Sequence, residues 1–467
     1  MLLRSLTICA ASVIALAFTT PVTALVPVDG LQDPAFGEAG RTFVDLTSLS
    51  AAGGLAYALA LAPSGLIYVG GTSNDGRFVI ARMSANGARD QGFGSFGLAR
   101  DRPSGAPSGY FNLGDLTVLP DGRPLAAGSV SDTNTDVVLC RYNVAGNLDT
   151  SFDGDGCSRI ALDLIAGGDE TAEAMLPLPD GKFLLVGTVE TAAFNGASAA
   201  GLLMRVNADG SLDTSFGTGG YRVLTVLNSS TYISSLARLG DGSLLVAGGY
   251  RPGGPGSQLN RYVAKYSAGG ALLSAFGNNG VVTVGFDDFV AGGNANDFQA
   301  DVLVDSQGRI YDCGASRSDG PLLINVSVAR YTANGQLDPG FGTGGRIYRS
   351  FNDLNNVSYV YGCTLQRDRL VAAMHTGSVG GSFEMGLMRF LDDGSTDPSF
   401  GAGGSISYPI DIAGNGIGHE VAARVLPQGD NLLVYGSASP QDQCCTEPYG
   451  FVVIRALTDR MFRDGYE

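Results

Sequence analysis

Carboxylates are common in this chain, but the residues that could carry acid–base or metal chemistry follow no catalytic spacing. The two histidines, His375 and His419, are too far apart in sequence to form a local metal-binding pair. Asp153 and Asp155 alternate with glycines but lack the further oxygen ligands and terminal acid of a calcium-binding loop. No nucleophile motif or phosphate-binding loop occurs. We therefore predict no catalytic residue, no metal site and no cofactor; a site shared by the two histidines is the alternative.

An acidic residue, a phenylalanine and clustered glycines form a motif that recurs along the chain. Its copies contain Phe36, Phe93, Phe152, Phe216, Phe276, Phe341 and Phe400. The gaps between successive phenylalanines are 57, 59, 64, 60, 65 and 59 residues. A nearly fixed period of this length indicates that one supersecondary unit is repeated.

Each repeat also carries a cation shortly before the acid of its motif. The cations are Arg82, Arg141, Arg205, Lys265, Arg330, Arg389 and Arg455. The motif positions that follow hold Asp90, Asp149, Asp213, Leu273, Asp338, Asp397 and Asp459. Lys265 and Leu273 depart from the pattern together, which predicts that each arginine pairs with its aspartate, because lysine cannot form a bidentate pair. Seven ligand-binding arginines are the functional alternative.

The third repeat predicts four short β-strands. Apolar runs cover 172–178, 183–189, 202–206 and 221–226, and turn-forming residues separate them. Pro179-Asp180-Gly181 has the composition of a hairpin turn. Four strands cannot bury a core alone, but seven such units can pack radially and leave only short edges. We expect an all-β fold, a seven-bladed β-propeller of four-stranded antiparallel blades.

Three stretches of the third repeat resemble the bacterial delta-60 repeat family. They are Pro179–Lys182 (PDGK), Met204–Gly210 (MRVNADG) and Asp213–Gly220 (DTSFGTGG). The resemblance extends over essentially the whole chain after residue 24. It implies a β-propeller, and it supplies no catalytic residue because the family has no common assigned chemistry.

The two ends of the repeat array are complementary. Segment 41–46 reads as a fourth strand with no partners before it, whereas 421–457 reads as three strands without a fourth. We therefore predict that the N-terminal strand joins the last blade and closes the ring. A partial eighth motif occurs at Asp459–Gly465. It either competes with the copy at Asp33–Gly40 for the corner between the third and fourth strands of the last blade or extends as a tail.

The chain begins like an exported protein. Residues 1–24 have the charged start, apolar stretch and small-residue end of a cleaved signal peptide. We predict a secreted, periplasmic or cell-surface protein with one domain at 25–467, including a tail at about 460–467. The formal net charge of −16 argues against nucleic acid and anionic membranes, since both attract Lys/Arg patches. We expect a monomer without membrane insertion.

Six cysteines follow the signal peptide, and an even count in an exported chain suggests disulfides. Six cysteines allow fifteen pairings, and the repeat register favours three of them. The favoured pairs are Cys140 with Cys157 across one hairpin, Cys313 with Cys363 on neighbouring blades, and Cys444 with Cys445 in one loop.

Loops differ between the two faces of the expected propeller. We call the four strands of each repeat a to d in chain order, with a just before the Pro-Asp-Gly hairpin. The a–b and c–d loops share one face and carry the repeated motifs, whereas the b–c and d–a loops share the other, which we call the variable face. Function in repeat scaffolds sits where insertions occur. The candidate binding residues there are Tyr250, Arg251, Asp287, Asp288, Asp297, Arg317, Asp319, Asp442, Glu447 and Tyr449. Solvated loops without a role are the alternative.

These observations favour an exported, non-enzymatic binding or scaffold protein that engages a protein or glycan through the variable face. A hydrolase or lyase with acidic residues near the central channel is one alternative, and a cell-surface structural protein is another. Converging acids with shifted pKa values in one deep pocket would favour an enzyme, whereas a broad surface patch would favour a binder.

Overall fold

The computed structural model describes residues 29–46, 53–102, 109–194, 197–253, 257–290, 295–318, 323–351, 357–377, 383–410, 419–439 and 450–458. These residues form 28 β-strands and a 3-10 helix at Asp287–Phe289. The all-β expectation is confirmed. The expected signal peptide and the C-terminal tail lie outside the described residues. No helix in the described ranges is long and apolar enough to cross a membrane.

The strands form units of four that are antiparallel within each unit and are numbered here in chain order. A parallel bridge between Ile324 and Val357 joins units 5 and 6 into one eight-stranded sheet. Unit 1 contains β2 (Gly54–Leu61), β3 (Ile67–Ser73), β4 (Phe78–Met83) and β5 (Leu98–Asp101). Unit 2 contains β6 (Tyr110–Val118), β7 (Pro124–Ser131), β8 (Thr135–Arg141) and β9 (Cys157–Ile160). Unit 3 contains β10 (Glu170–Pro177), β11 (Phe183–Phe194), β12 (Ala197–Val206) and β13 (Tyr221–Leu224).

The remaining units follow the same order. Unit 4 contains β14 (Ser230–Arg238), β15 (Leu244–Arg251), β16 (Asn260–Tyr266) and β17 (Val281–Val284). Unit 5 contains β18 (Ala295–Val304), β19 (Ile310–Ser318), β20 (Ile324–Tyr331) and β21 (Arg346–Arg349). Unit 6 contains β22 (Val357–Gln366), β23 (Arg369–Gly377), β24 (Phe383–Arg389) and β25 (Ser405–Tyr408). Unit 7 contains β26 (His419–Gln428), β27 (Asn431–Ser439) and β28 (Gly450–Ala456), together with β1 (Arg41–Val44).

The N-terminal strand is the fourth strand of unit 7. β1 pairs antiparallel with β28, so that Arg41 lies opposite Ile454 and Val44 lies opposite Phe451. One hydrophobic cluster combines Phe36, Val44 and Phe451 with residues of unit 1. The segment that precedes unit 1 in sequence therefore packs between the last unit and the first.

Turn chemistry sets the hairpins within each unit. In unit 3, Gly181 has a φ of 84°, a conformation that a residue with a Cβ adopts at a cost. Its amide donates to Leu178 O at 3.0 Å. Asp180 Oδ1 accepts the Lys182 amide at 3.2 Å. The Pro-Asp-Gly sequence therefore closes the hairpin that joins β10 to β11.

The first strand of every unit packs against the first strands of the neighbouring units. These strands, called the inner strands, are β2, β6, β10, β14, β18, β22 and β26. Each contacts the inner strand of the next unit, and β26 contacts β2. Each also has a β-bulge, which re-aims one side chain. The bulged positions are 57, 114, 173, 234, 300, 361 and 423. We call the space beside the bulged residues of the inner strands the axial space.

The repeated arginines pair with the motif aspartates, as the joint departure of Lys265 and Leu273 predicts. Nε of the arginine donates to the carboxylate at 2.6–2.9 Å, and the guanidinium lies 4.6–4.9 Å from the centre of the motif phenylalanine ring. The arginine–aspartate pairs are Arg82–Asp90, Arg141–Asp149, Arg205–Asp213, Arg330–Asp338, Arg389–Asp397 and Arg455–Asp33. These arginines are therefore structural residues of the corners.

Arg455 corrects one sequence-based assignment. The sequence order predicts Asp459 as its partner, but Arg455 Nε donates to Asp33 Oδ2 at 2.8 Å. Because β1 is the fourth strand of unit 7, the motif copy that precedes β1 occupies this corner. Asp459 lies outside the described residues.

The motif phenylalanines pack between units. A Cβ on Gly87 of unit 1 would lie 2.8 Å from the Phe36 ring, and one on Gly146 of unit 2 would lie 3.0 Å from the Phe93 ring. Such a contact leaves room only for glycine. A Cβ on Gly30 would likewise lie 3.0 Å from the ring of Phe400 in unit 6. The N-terminal segment therefore provides the glycine against which the motif phenylalanine of unit 6 packs.

Two of the three expected disulfides lie within the described residues, and both are formed. Cys140 on β8 bonds to Cys157 on β9, with 4.1 Å between the Cα atoms. Cys313 on β19 bonds to Cys363 on β22, with 6.5 Å between the Cα atoms. The second bond joins units 5 and 6. The expected pair Cys444–Cys445 lies outside the described residues.

Candidate functional site

Several of the sequence-predicted binding residues make internal contacts. Tyr250 is buried, and its ring makes an edge contact with Tyr262 at 6.4 Å between centroids. Asp287 Oδ1 accepts a backbone amide at 2.7 Å. Asp288 forms a bidentate pair with Arg346 at 2.7 and 2.8 Å. Asp319, Asp442, Glu447 and Tyr449 lie outside the described residues. A binding role for these residues stays a prediction.

Asp297 lies in a fully buried ionic cluster between units 4 and 5. It accepts the Phe286 amide at 3.2 Å and is close to Arg261, whose Nε lies 3.6 Å from Asp312 Oδ2. All three charged side chains are inaccessible to solvent. Desolvation raises the pKa of Asp312 to about 6, although Arg261 opposes the shift. Asp297 is therefore an interior residue of the interface between these units.

Arg251 is the predicted binding residue that reaches an open site. It lies at the end of β15 and lines a cleft of about 420 Å³ between units 3 and 4. The cleft is also lined by Glu173, Thr188, Ser230, Tyr232 and Ser234. Arg251 Nη1 donates to Ser257 O, which fixes the side chain beside the cleft. Arg317, which is half-buried on β19, is not among the lining residues.

The bulged positions of the inner strands bring polar and aromatic side chains to the axial space. Glu173 and Tyr361 are exposed at these positions although the residues on either side of each are buried. The pKa of Tyr57 is raised by desolvation, by Tyr110 and by the negative charge of Glu173. Tyr57 and Glu173 belong to units 1 and 3, so their bulges face a common space. Small residues occupy other bulges, among them Gly114 and Ala300.

A second layer of charged side chains lies one residue beyond the bulges. Arg424 Nη1 lies 3.8 Å from Asp115 Oδ1, and its pKa is raised because the attraction of Asp115 and Asp301 outweighs desolvation. Asp115 Oδ2 accepts the Met175 amide at 2.9 Å, and Asp301 Oδ2 accepts the Cys363 amide at 2.8 Å. Each of these acids therefore holds the inner strand of the next unit.

Glu173 differs from those two acids. Its carboxylate lines the cleft, and no backbone amide is bound to it among the described contacts. The surrounding protein desolvates the carboxylate and raises its pKa, while the charge of Arg424 opposes the shift. Glu173 is thus the accessible acid of the axial space, with a stronger tendency to hold a proton than a surface glutamate.

An aromatic cluster lies on the unit 6 side of the axial space. The buried His375 ring makes an edge contact with Tyr359 at 4.7 Å and with Tyr361 at 5.0 Å, and lies 4.7 Å from Phe383. Tyr361 is 40% exposed. The side chain of His419 lies outside the described residues, so a site shared by the two histidines stays untested. His375 acts here as an aromatic packing residue.

Sequence reasoning missed the inner-strand residues because it searched the loops. The sequence signal was present at the bulges: the repeats hold unlike residues there, such as Tyr57 and Glu173, each between two alanines. Only the strand-pairing register of the structure shows that these positions are bulges that face the axial space. In the part of the chain that the structure describes, no group of three or more His, Cys, Asp or Glu side chains could hold a metal ion.

Comparisons with solved structures give similarities of low identity. A protein of unknown function from Dyadobacter fermentans is 11% identical, with 91% of this chain and 100% of that chain covered and a TM-score of 0.46. A polysaccharide lyase described as an ulvan lyase is 10% identical, with 86% and 94% covered and a TM-score of 0.47. The phage phi92 endosialidase is 9% identical, with 92% and 71% covered and a TM-score of 0.44. At these values the similarities say nothing about a ligand or reaction.

No curated protein matches the chain in sequence. A family model does match, described as a domain of unknown function (DUF5122) beta-propeller, at residues 119–152, 178–216 and 368–400. The first two segments begin with Leu-Pro-Asp-Gly, and all three end at a motif phenylalanine, features that also carry the delta-60 resemblance. The chain therefore carries repeats of this β-propeller family, and the resemblance seen in its sequence is confirmed.

Proposed function

We propose that this chain is an exported, non-enzymatic β-propeller of seven blades that binds a glycan on its variable face. In this proposal residues 1–24 are a signal peptide, β1 closes the ring, and 25–467 act as one monomeric domain. The inner-strand contacts, including that of β26 with β2, support a ring. The choice of a glycan over a protein rests on the cleft between units 3 and 4.

The cleft lining carries the proposal. It combines hydroxyl groups of Thr188, Ser230 and Ser234 with the guanidinium of Arg251 and the carboxyl of Glu173. Sugars present closely spaced hydroxyl groups that both donate and accept hydrogen bonds, and this lining offers both kinds of partner. A protein interface would instead be expected to offer a broad patch with large apolar anchors.

Binding can be tested with the mature chain and a defined saccharide panel. Cello-, manno- and galacturono-hexaose are titrated by calorimetry, and a glycan array extends the panel. Arg251→Ala should weaken binding at least tenfold by removing a charged donor from the cleft. Arg349→Ala, an exposed arginine on β21, serves as the matched control and should change affinity by less than twofold. If no saccharide binds, or if Arg251→Ala binds normally, the proposal is wrong.

A polysaccharide lyase is the second candidate, because one acid and one cation share the cleft. β-Elimination needs a base to remove a proton beside a uronate carboxylate and a cation to neutralise that carboxylate; Glu173 and Arg251 could take these roles. A hydrolase is less well supported, since it needs two available carboxyl groups and the carboxylates of Asp115 and Asp301 hold backbone amides. Release of an unsaturated product from galacturonan that Glu173→Gln abolishes would establish the lyase and displace the binding proposal.

A further inference from the structure

We propose that Tyr361 is the stacking surface for a pyranose ring of the bound glycan. This inference rests on the proposed function and extends its site from the cleft to an aromatic residue on the inner strand of unit 6. The observation behind it is independent of the cleft: an exposed aromatic ring at a bulge that packs against two other rings.

The position of Tyr361 follows from the register of β22. Val360 pairs with Met374 and Gly362 pairs with Ala373, so Tyr361 is the extra residue of the bulge. The equivalent residues Tyr57 and Glu173 face the axial space. Val360 and Gly362 are buried, whereas Tyr361 is 40% exposed. The bulge therefore turns this one ring away from the sheet.

The ring is held in place from behind. His375 lies 5.0 Å from it at an interplanar angle of 68°, and Tyr359 lies 6.4 Å from it at 30°. Phe383 supports His375 from a further side at 4.7 Å. A ring fixed in this way loses little side-chain entropy when a ligand binds, so its contact contributes fully to affinity.

The Tyr361 ring and the cleft between units 3 and 4 together favour a glycan as the ligand. An exposed aromatic face carries partial negative charge and attracts polarised C–H groups, and a pyranose presents such groups on one face. The same molecule carries hydroxyl groups at its rim, which suit the hydroxyl-lined cleft. A ligand that contacts both Tyr361 of unit 6 and the cleft between units 3 and 4 must be a chain of several sugars.

The absence of tryptophan from the chain provides a direct probe. Tyr361→Trp keeps an aromatic face and makes the indole the single tryptophan, so its emission should shift when a hexasaccharide of the panel binds. Tyr361→Ala should weaken the tightest hexasaccharide at least tenfold, and Tyr361→Phe should stay within threefold. Phe96→Ala, which removes an exposed ring from the c–d corner of unit 1, is the matched control and should leave affinity unchanged. The disaccharide should bind at least tenfold more weakly than the hexasaccharide.

The outcomes separate the two proposals. If a hexasaccharide binds and Arg251→Ala weakens it but Tyr361→Ala does not, the stacking inference is wrong and the glycan function stands. If no saccharide of the panel binds the parent protein, or if only a protein partner binds, both are wrong. An unshifted tryptophan emission at saturating hexasaccharide would also overturn the stacking inference.

Discussion

Arg389 and Asp29 are 360 positions apart in the chain, and their side chains form a hydrogen-bonded ion pair at 2.8 Å between Nη2 and Oδ2. In other units the corresponding guanidinium reaches a backbone carbonyl of the next unit, as Arg141 does with Ala208 O at 3.1 Å. Next to unit 6, the N-terminal segment supplies a carboxylate in place of that carbonyl. Asp29 therefore joins the start of the chain to its penultimate repeat.

We predict that Asp29→Ala destabilises the protein by about 2–4 kcal/mol, because it leaves the buried Arg389 with one ionic partner fewer. Arg389 is 4% exposed and Asp29 is 11% exposed. Asp430→Ala is the matched control, since it breaks an exposed pair with Arg367 and should cost less than about 1 kcal/mol. Urea denaturation of both variants measures the difference. Equal decreases in the free energy of unfolding would show that the N-terminal ion pair stabilises the protein no more than the exposed pair does.

Unit 4 lacks the arginine–aspartate pair although its backbone is prepared for it. The Leu273 amide donates to Lys265 O at 2.8 Å, and the Phe276 amide donates to Leu273 O at 3.0 Å, as in the other units. We predict that Lys265→Arg combined with Leu273→Asp stabilises the protein by about 1 kcal/mol beyond the sum of the single changes. Arg205→Lys in unit 3 is the reverse variant and should lose a similar amount. A double-mutant cycle with a coupling near zero would contradict the prediction.

The repeat allowed the strands, the corners and two disulfides to be predicted, because each depends on positions a fixed distance apart in sequence. Cys313 and Cys363 illustrate this, since the register placed them on neighbouring units. The axial residues were not predicted. A bulge changes the face of the sheet on which a side chain lies. The alternation of apolar and polar residues in the sequence does not predict where a bulge occurs. Thus Glu173 and Tyr361 read as ordinary members of an edge strand.

The burial of two predicted binding residues could not be seen in the sequence. Tyr250 and Asp297 flank variable loops, so the sequence suggested exposure. The structure buries both, because a neighbouring unit covers the ends of these strands. Which loop-flanking residues are covered depends on packing between units, and one repeat read alone does not contain that information.

Glu170 predicts a pH dependence of stability. It is fully buried, and desolvation raises its pKa from about 4.5 to about 7, although the Leu162 and Asp163 amides donate to it. The folded state therefore holds a proton that the unfolded state releases between these values. Because folding binds this proton, its contribution to stability is present below pH 4.5 and is lost as the pH rises through 7.

We expect Glu170→Gln to stabilise the protein at pH 8 by about 2 kcal/mol relative to the parent, with little difference at pH 4. Thermal and urea unfolding across this range would measure the two curves. Glu38→Gln replaces an exposed carboxylate, and the stability of this variant should change with pH in the same way as that of the parent. A parent stability that rises between pH 5 and 8 relative to the Glu170→Gln variant would contradict this assignment.

The two disulfides offer a comparison of loop length at matched burial. Cys313–Cys363 closes a separation of 50 residues and Cys140–Cys157 one of 17, and all four side chains are buried. Because closing a longer loop removes more entropy from the unfolded chain, the double alanine variant at 313 and 363 should lose about 4 kcal/mol and the one at 140 and 157 about 3 kcal/mol. Urea denaturation under non-reducing conditions compares them. A larger loss at 140 and 157 would show that strain or unfolded-state structure, and not loop closure between units 5 and 6, determines the effect.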